Sequence, residues 1–284
     1  MRAEAVPPFL VGDRETGPGR QHPTPPPPIR EFVPETRFGL WFLNTQTWSD
    51  RVLKVALDDL RRMMEHPEAH YPVVLDVGCG HGRSLPLLMD AFRPERLIGL
   101  DCERNVLANA RSRAAKIGRT VTPMLGNCSR LPLRDGSVDL IFCHQTFHHL
   151  VDQEQSLREF WRVLRPSGLL LFAESTRAYI ESWTIRLLFR HPMQVQRSAE
   201  TYLAMLRGHG FVIAPNAISC PYLWWSRADL GVAERLLRIP PRRPGQREET
   251  LLNVVAMKGE AHWPDVIGAQ LTGAQPLADG TPAL

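Results

Sequence analysis

Val73-Val74-Leu75-Asp76-Val77-Gly78-Cys79-Gly80-His81-Gly82 joins a short apolar, β-branched run to a turn with glycine at every second position. The apolar half reads as a buried strand. In the second half the backbone can approach a ligand closely, because residues without a Cβ neither clash nor resist unusual φ values. Asp76, two residues before Gly78, decides what kind of ligand that is. A carboxylate at this distance repels a pyrophosphate and suits a ligand that carries positive charge. The spacing is also G-x-G-x-G, not the G-x-G-x-x-G of dinucleotide-binding loops.

Outward from this run, strand and helix patterns alternate. Upstream, Val52, Leu53, Ala56, Leu60, Met63 and Met64 recur at helical spacing behind Ser49 and Asp50, both good cap residues. Downstream, a helix is expected from about Arg83 to Ala91, with Pro86 tolerable because it falls near the first turn. Arg96 to Leu100 reads as a strand. A helix from about Glu103 to Lys116 follows, acidic at its start and basic at its end, as the helix dipole prefers. Val121 to Leu125, Val138 to Cys143 and Leu169 to Ala173 are further apolar runs, and Leu157, Phe160, Trp161 and Leu164 mark a helix between the last two. Ser198 to Arg207 reads as a capped helix that ends in Gly208-His209-Gly210, and Phe211 to Ile213 and Leu252 to Met257 are strand-like. Such alternation predicts an α/β fold with a doubly wound, mostly parallel sheet.

With Leu97-Ile98-Gly99-Leu100-Asp101 added, the opening run resembles the cofactor site of class I S-adenosylmethionine-dependent methyltransferases. The stretch from Asn127 to Ile141, continued by His144 to Leu150 and Glu159 to Gly168, resembles the UbiE-like, or type 11, methyltransferase group. The similarity covers about residues 70–175, and Ser167 departs from it where glycine is frequent. It implies a Rossmann-like, seven-stranded sheet with an antiparallel last strand, and S-adenosyl-L-methionine as cofactor. By this resemblance Gly78, Gly80 and Gly82 turn beneath the methionyl part, while Asp76 binds its ammonium group. Asp101, 19 residues beyond Gly82, accepts from the ribose hydroxyls, and Cys102 lies against the adenine. Asn127 stands where an aspartate is frequent and keeps a carbonyl acceptor for the adenine amino group. Cys79, Cys128 and His144 are expected in the same pocket.

Methyl transfer from a sulfonium is an in-line displacement, which chiefly requires an acceptor held opposite the leaving sulfur and the exclusion of water. Where the acceptor loses a proton, histidine is the usual helper. His149 is the expected base, with His148 second, because both follow the fourth strand at the carboxyl edge of the sheet. A metal is not expected: Cys143, His144, His148 and His149 lie close in sequence, but no second cluster completes a four-ligand site. Arg162 and Arg165 read as solvated or paired helix residues.

Phe38, Trp41, Phe42 and Trp48 precede the first long helix and are read as either a lid or plain core. Tyr179, Trp183, Leu187, Leu188 and Phe189, interleaved with Arg177, Arg186, Arg190 and Arg197, form a basic amphipathic stretch. It fits either a peripheral contact with an anionic membrane or an ordinary surface helix. Residues 1–36 are rich in proline and read as a disordered leader, and 261–284 as a disordered tail. Between them, 37–260 form the methyltransferase domain, with the cofactor-binding core at 70–175 and substrate-side insertions at 176–250.

The net charge of +4 comes from arginines spread along the chain, so no nucleic-acid partner is expected. Five cysteines without CxxC spacing suit a reducing cytoplasm. The expected activity is methylation of an O or C atom of a small organic acceptor, apolar or aromatic. Two rivals stand beside it: an NAD(P)-dependent oxidoreductase, and a non-catalytic cofactor-binding scaffold whose leader recruits partners.

Overall fold

The structure is a computed structural model that describes residues 35–227 and 245–260, with positions 232, 236 and 243. The leader up to residue 34 and the tail from 261 lie outside the described residues. Glu35 and Thr36, expected in the leader, belong to the fold. Thr36 caps α1 (Arg37–Leu43) by accepting from Gly39 N at 2.9 Å, and its hydroxyl donates to Leu188 O at 2.7 Å. Arg190 N donates to Glu35 Oε1 at 2.9 Å.

The helix read from Ser49 begins earlier. Thr45 is the cap, accepting from Trp48 N at 3.1 Å, and α2 (Gln46–Trp48) passes through a π turn at Ser49–Leu53 into α3 (Lys54–Met63). Ser49 is buried with αR dihedrals, a conformation that continues a helix and does not cap one.

Five strands run parallel: β1 (Val73–Val77), β2 (Arg96–Asp101), β3 (Val121–Leu125), β4 (Val138–His144) and β5 (Leu164–Ser175). They alternate with α4 (Ser84–Phe92), α5 (Arg104–Ile117) and α6 (Gln153–Val163). After β5 come α7 (Arg177–Ile180), α8 (Trp183–Leu188) and α9 (Ala199–Gly208). The chain then adds β6 (Phe211–Val212), β7 (Ile218–Ser219) and β8 (Leu251–Lys258). The strand order is β3-β2-β1-β4-β5-β8-β6, and β8 runs antiparallel to β5, β6 and β7. The antiparallel last strand is as expected. The strand count is corrected from seven to eight among the described residues, because Ile218–Ser219 pairs with Val254 and Asn253. Two residues are too few to leave a periodic signal.

Neighbouring side chains along each strand point to opposite faces, which splits the core into two layers. Leu75, Ile98, Ile141 and Phe172 pack with Phe147, Phe160 and Tyr202 on one face. Val74, Leu97, Leu140 and Leu171 pack with Leu60, Leu88 and Leu107 on the other. The chain leaves β1 toward β2 and β3, then returns to β4 on the opposite side, so the carboxyl ends of β1 and β4 flank a crevice between diverging connections.

Candidate active site

A cavity of about 220 Å³ opens at that crevice. Asp76 sits at its floor, 2% exposed, and among the described residues the Ser84 hydroxyl donates to its Oδ2. Burial pushes its pKa up to about 7; the Ser84 hydrogen bond lowers it and the charge of Asp101 adds to the rise. A buried carboxylate held by one neutral hydroxyl favours a cation beside it. Asp101, at the end of β2, accepts from Gly80 N and Glu103 N, each at 2.8 Å, and burial raises its pKa too. One carboxylate therefore ties the glycine turn to the start of α5 and still has lone pairs facing the cavity.

The glycines divide the work. Gly80 has φ +50° and no atom within 4 Å of where a Cβ would stand, so the turn leaves a cradle there. Gly82 does not line the cavity, a correction to the expected contact. Its Cβ would meet Ala110 Cα at 2.8 Å, so its smallness serves the packing of the turn on α5. The other residues assigned to the cofactor all line the cavity: Asp76, Gly78, Cys79, Gly80, Asp101, Cys102, Asn127, Cys128 and His144. Asn127 Oδ1 already accepts from Ser129 N and Oγ, both at 2.9 Å, which directs its amide N–H₂ outward. His144 stacks on Phe142 (5.7 Å, 5°) and lies 5.7 Å from the Trp48 ring. Its Nε2 is buried without a hydrogen-bond partner, and burial pulls its pKa down to about 4, so the ring is neutral.

The N-terminal segment roofs this cavity. Leu40, Leu43, Trp48 and Leu53 line it from above, and polar contacts fasten the roof to the glycine turn. Arg83 donates to Asn44 O and to Gln46 Oε1 (2.9 Å), while Arg113 donates to His81 O and to Asn44 Oδ1 (2.8 Å). His81 Nε2 lies 3.1 Å from Leu40 O. Trp48 thus serves as wall of this cavity, whereas Trp41 is exposed.

A second cavity, about 270 Å³, is lined by Phe38, Phe42, Val52, Tyr179, Ile185, Leu188, Phe189 and Trp225 among others. Five residues line both cavities: Glu35, Leu43, Trp48, Gln145 and His149. They form a neck between a polar cleft and an apolar chamber. Gln145 holds φ +51°, a rare conformation for a side-chain-bearing residue, and its Oε1 accepts from Ser175 Oγ at 2.5 Å.

The two candidate histidines separate. His149 stands at the neck, its pKa held well below the usual value by burial and by His148. His148 lines only the apolar chamber. Its Nδ1 lies 2.6 Å from Glu174 Oε2, and Glu174 Oε1 accepts from Thr146 N and Phe147 N at 2.8 Å each. Burial holds His148 neutral at about 3 and raises Glu174 to about 7, so with Glu174 ionised Nδ1–H donates to the anchored carboxylate. Ser84, Gln145, Glu174 and His191 were not singled out from the sequence as site residues. Glu174 closes an apolar strand, a signal present in the sequence, while His191 carries none. Arg162 is paired as expected, bonding Glu159, Asp135, Leu131 O and Leu133 O, and Arg165 pairs with Asp139 at 2.6 Å. All five cysteines are free thiols, and burial raises those of Cys79, Cys128 and Cys143.

Residues 75–172 match the methyltransferase domain family. This segment is a class I S-adenosylmethionine-dependent methyltransferase domain. A probable S-adenosylmethionine-dependent methyltransferase of Mycolicibacterium smegmatis is 40% identical over 104 residues, 37% of this chain and 38% of that protein. A malonyl-[acyl-carrier protein] O-methyltransferase of Coxiella burnetii is 34% identical over 122 residues, 43% of this chain and 40% of the relative. The chain thus spans about two fifths of the length of these curated relatives. Among solved structures, a methyltransferase of Haloferax volcanii in complex with the Trm112 methyltransferase activator superimposes with TM-score 0.59 at 22% identity, over 79% of this chain and 97% of that one. The plantazolicin methyltransferase BamL, solved with a triazolic desmethylPZN analog and SAH, gives 0.55 at 16%, over 78% and 90%. Both share the fold of this methyltransferase domain. No helix among the described residues is long and apolar enough to cross a membrane.

Proposed function

We propose that the chain moves the methyl group of S-adenosylmethionine to an O or C atom of a small apolar or aromatic acceptor. The observation that carries this reading is the neck: Trp48, Gln145 and His149 border both the cleft with its buried carboxylates and the aromatic chamber. The donor supplies an electrophilic methyl on a sulfonium. Asp76 takes its ammonium group and Asp101 its ribose hydroxyls. The outward amide of Asn127, together with Cys102 and Cys128, receives the adenine, and His144 offers its free Nε2 to the donor. Trp48 and the fastened roof keep water from the transfer path.

His149 accepts the proton lost by a hydroxyl or activated-carbon acceptor. The imidazole is neutral at pH 7; the burial that lowers its pKa also weakens it as a base, which loss of the sulfonium charge at transfer offsets. The imidazolium it becomes replaces the sulfonium charge that disappears, so the buried neck carries one positive charge before and after transfer. His148, on Glu174, is a positioning residue for His149.

The resemblance to the UbiE-like group supports an O or C acceptor, and the aromatic lining of the chamber supports an apolar one. The α8 surface supports delivery from an anionic membrane: Trp183 and Leu187 are 67% and 73% exposed beside Arg186, while Ile185 and Leu188 of the same helix line the chamber. Incubating the protein with methyl-labelled S-adenosylmethionine and a cell extract tests the function. Label in an organic-soluble product supports it; binding of the donor with no labelled product from any extract favours the scaffold reading.

A further inference from the structure

His148, His149 and His191 meet at the wall of the apolar chamber from two separate pieces of chain, the 3-10 turn after β4 and the segment after α8. Their ring centroids are 4.3, 4.8 and 5.2 Å apart, and one ring nitrogen from each lies within 4.8 Å of the others. His148 is buried and His149 and His191 are half-buried, and placing three imidazoles in one apolar wall is costly if they serve only as packing, because each brings a polar nitrogen to that space. Burial drives all three toward the neutral form, which is the form that ligates.

One of the three is already oriented. Glu174 holds His148 Nδ1 at 2.6 Å and is itself fixed by two backbone N–H groups, which leaves His148 Nε2 with the lone pair. A histidine that donates its second ring N–H to an anchored carboxylate is the usual arrangement behind a metal-bound imidazole. We propose that His148, His149 and His191 bind one divalent transition-metal ion of the zinc class, with the fourth position open to the apolar chamber. Three imidazoles with an open position are the ligand set of a catalytic-type site, not a closed structural one. An all-nitrogen set disfavours magnesium and calcium, which prefer oxygen. Zinc–nitrogen bonds of ~2.0–2.1 Å put tetrahedral ligand atoms about 3.4 Å apart, so a separation of 4.8 Å closes by about 1.4 Å through ring rotation. His191 completes the cluster that neighbours in sequence lacked. The ion takes the lone pair of His149, so metal binding and proton acceptance there exclude each other. Only that last consequence rests on the methyltransferase reading.

The test uses tag-free, full-length protein stripped with chelator, loaded with Co²⁺ or Zn²⁺ and passed through gel filtration. The expected result is about one ion per chain, visible Co²⁺ absorption of tetrahedral strength, and an X-ray absorption spectrum with three imidazole nitrogens. His191→Ala should weaken binding ~100-fold or more, and Glu174→Gln ~10–100-fold. His70→Ala, an exposed histidine beside Glu95, should change nothing. Calorimetry with S-adenosylmethionine on the same samples reports whether each variant is folded. Donor binding with uptake far below one ion, or full uptake by a folded His191→Ala protein, overturns the metal site and leaves the methyltransferase reading standing. Metal uptake without donor binding does the reverse.

Discussion

Burial favours the neutral acid of Asp76, while a donor docking its ammonium group there would favour the carboxylate. With its pKa at about 7 in the empty cleft, donor binding must expel a proton at lower pH. Affinity for S-adenosylmethionine should therefore fall by up to ~10-fold per pH unit below 7 and level off above it, with proton release visible in calorimetry across buffers. Asp76→Asn should bind weakly with a flat pH profile. The stability effect has the opposite sign. A carboxyl whose folded pKa is raised stabilises the fold below its unfolded value, and that contribution is lost as pH rises through about 7. At pH 8 Asp76→Asn should thus stabilise the empty protein by roughly 1–3 kcal/mol, measured as a higher Tm. Asp101→Ala should weaken the donor by ~10-fold or more through lost charge-assisted hydrogen bonds. His149→Ala should slow turnover ~100-fold with donor affinity nearly unchanged, and a wild-type rate would reduce it to packing. Asp76 and Asp101 were legible in the sequence because they stand next to last in β1 and last in β2, each just before a turn. His191 was not, because only tertiary packing carries it 42 positions back to His149.

At the scale of elements, strands and helices with four or more periodic residues were legible, and the errors have local causes. The first long helix starts early because Thr45, not Ser49, caps it. β5 extends back to Leu164 through a register shift opposite Val138 and Leu140, and Ser167 within it takes φ +59°. Glycine takes that conformation without a Cβ penalty, so Ser167→Gly should stabilise the fold by about 1 kcal/mol in denaturant unfolding. The roof over the donor cleft depends on few fastenings. Arg113→Ala removes two of them, at His81 O and Asn44 Oδ1, and should speed donor dissociation ~10-fold in stopped-flow without lowering Tm by more than a few degrees. On α8, Trp183→Ala with Leu187→Ala should abolish sedimentation with anionic vesicles if that face meets a membrane; equal sedimentation would assign it to plain surface.

The whole molecule works through one rim. Parallel strands deliver Asp76, Asp101 and His144 to the same edge of the sheet, and the reversal of strand order between β1 and β4 opens the crevice they share. That placement follows from strand alternation alone, which is why the donor side of the site could be read from sequence. The acceptor side could not. Its walls come from α1, the π turn, α7, α8 and the segment around Trp225, pieces without a common motif that meet only in three dimensions. In the proposed complex a sulfonium donor lies in the first cavity with its methyl directed through the neck. A crystal structure with S-adenosylhomocysteine tests it most directly. The prediction is ribose hydroxyls on Asp101, the amino group on Asp76, and sulfur facing Trp48 and His149. A ligand seated elsewhere, or with its sulfur turned away from the neck, would contradict it.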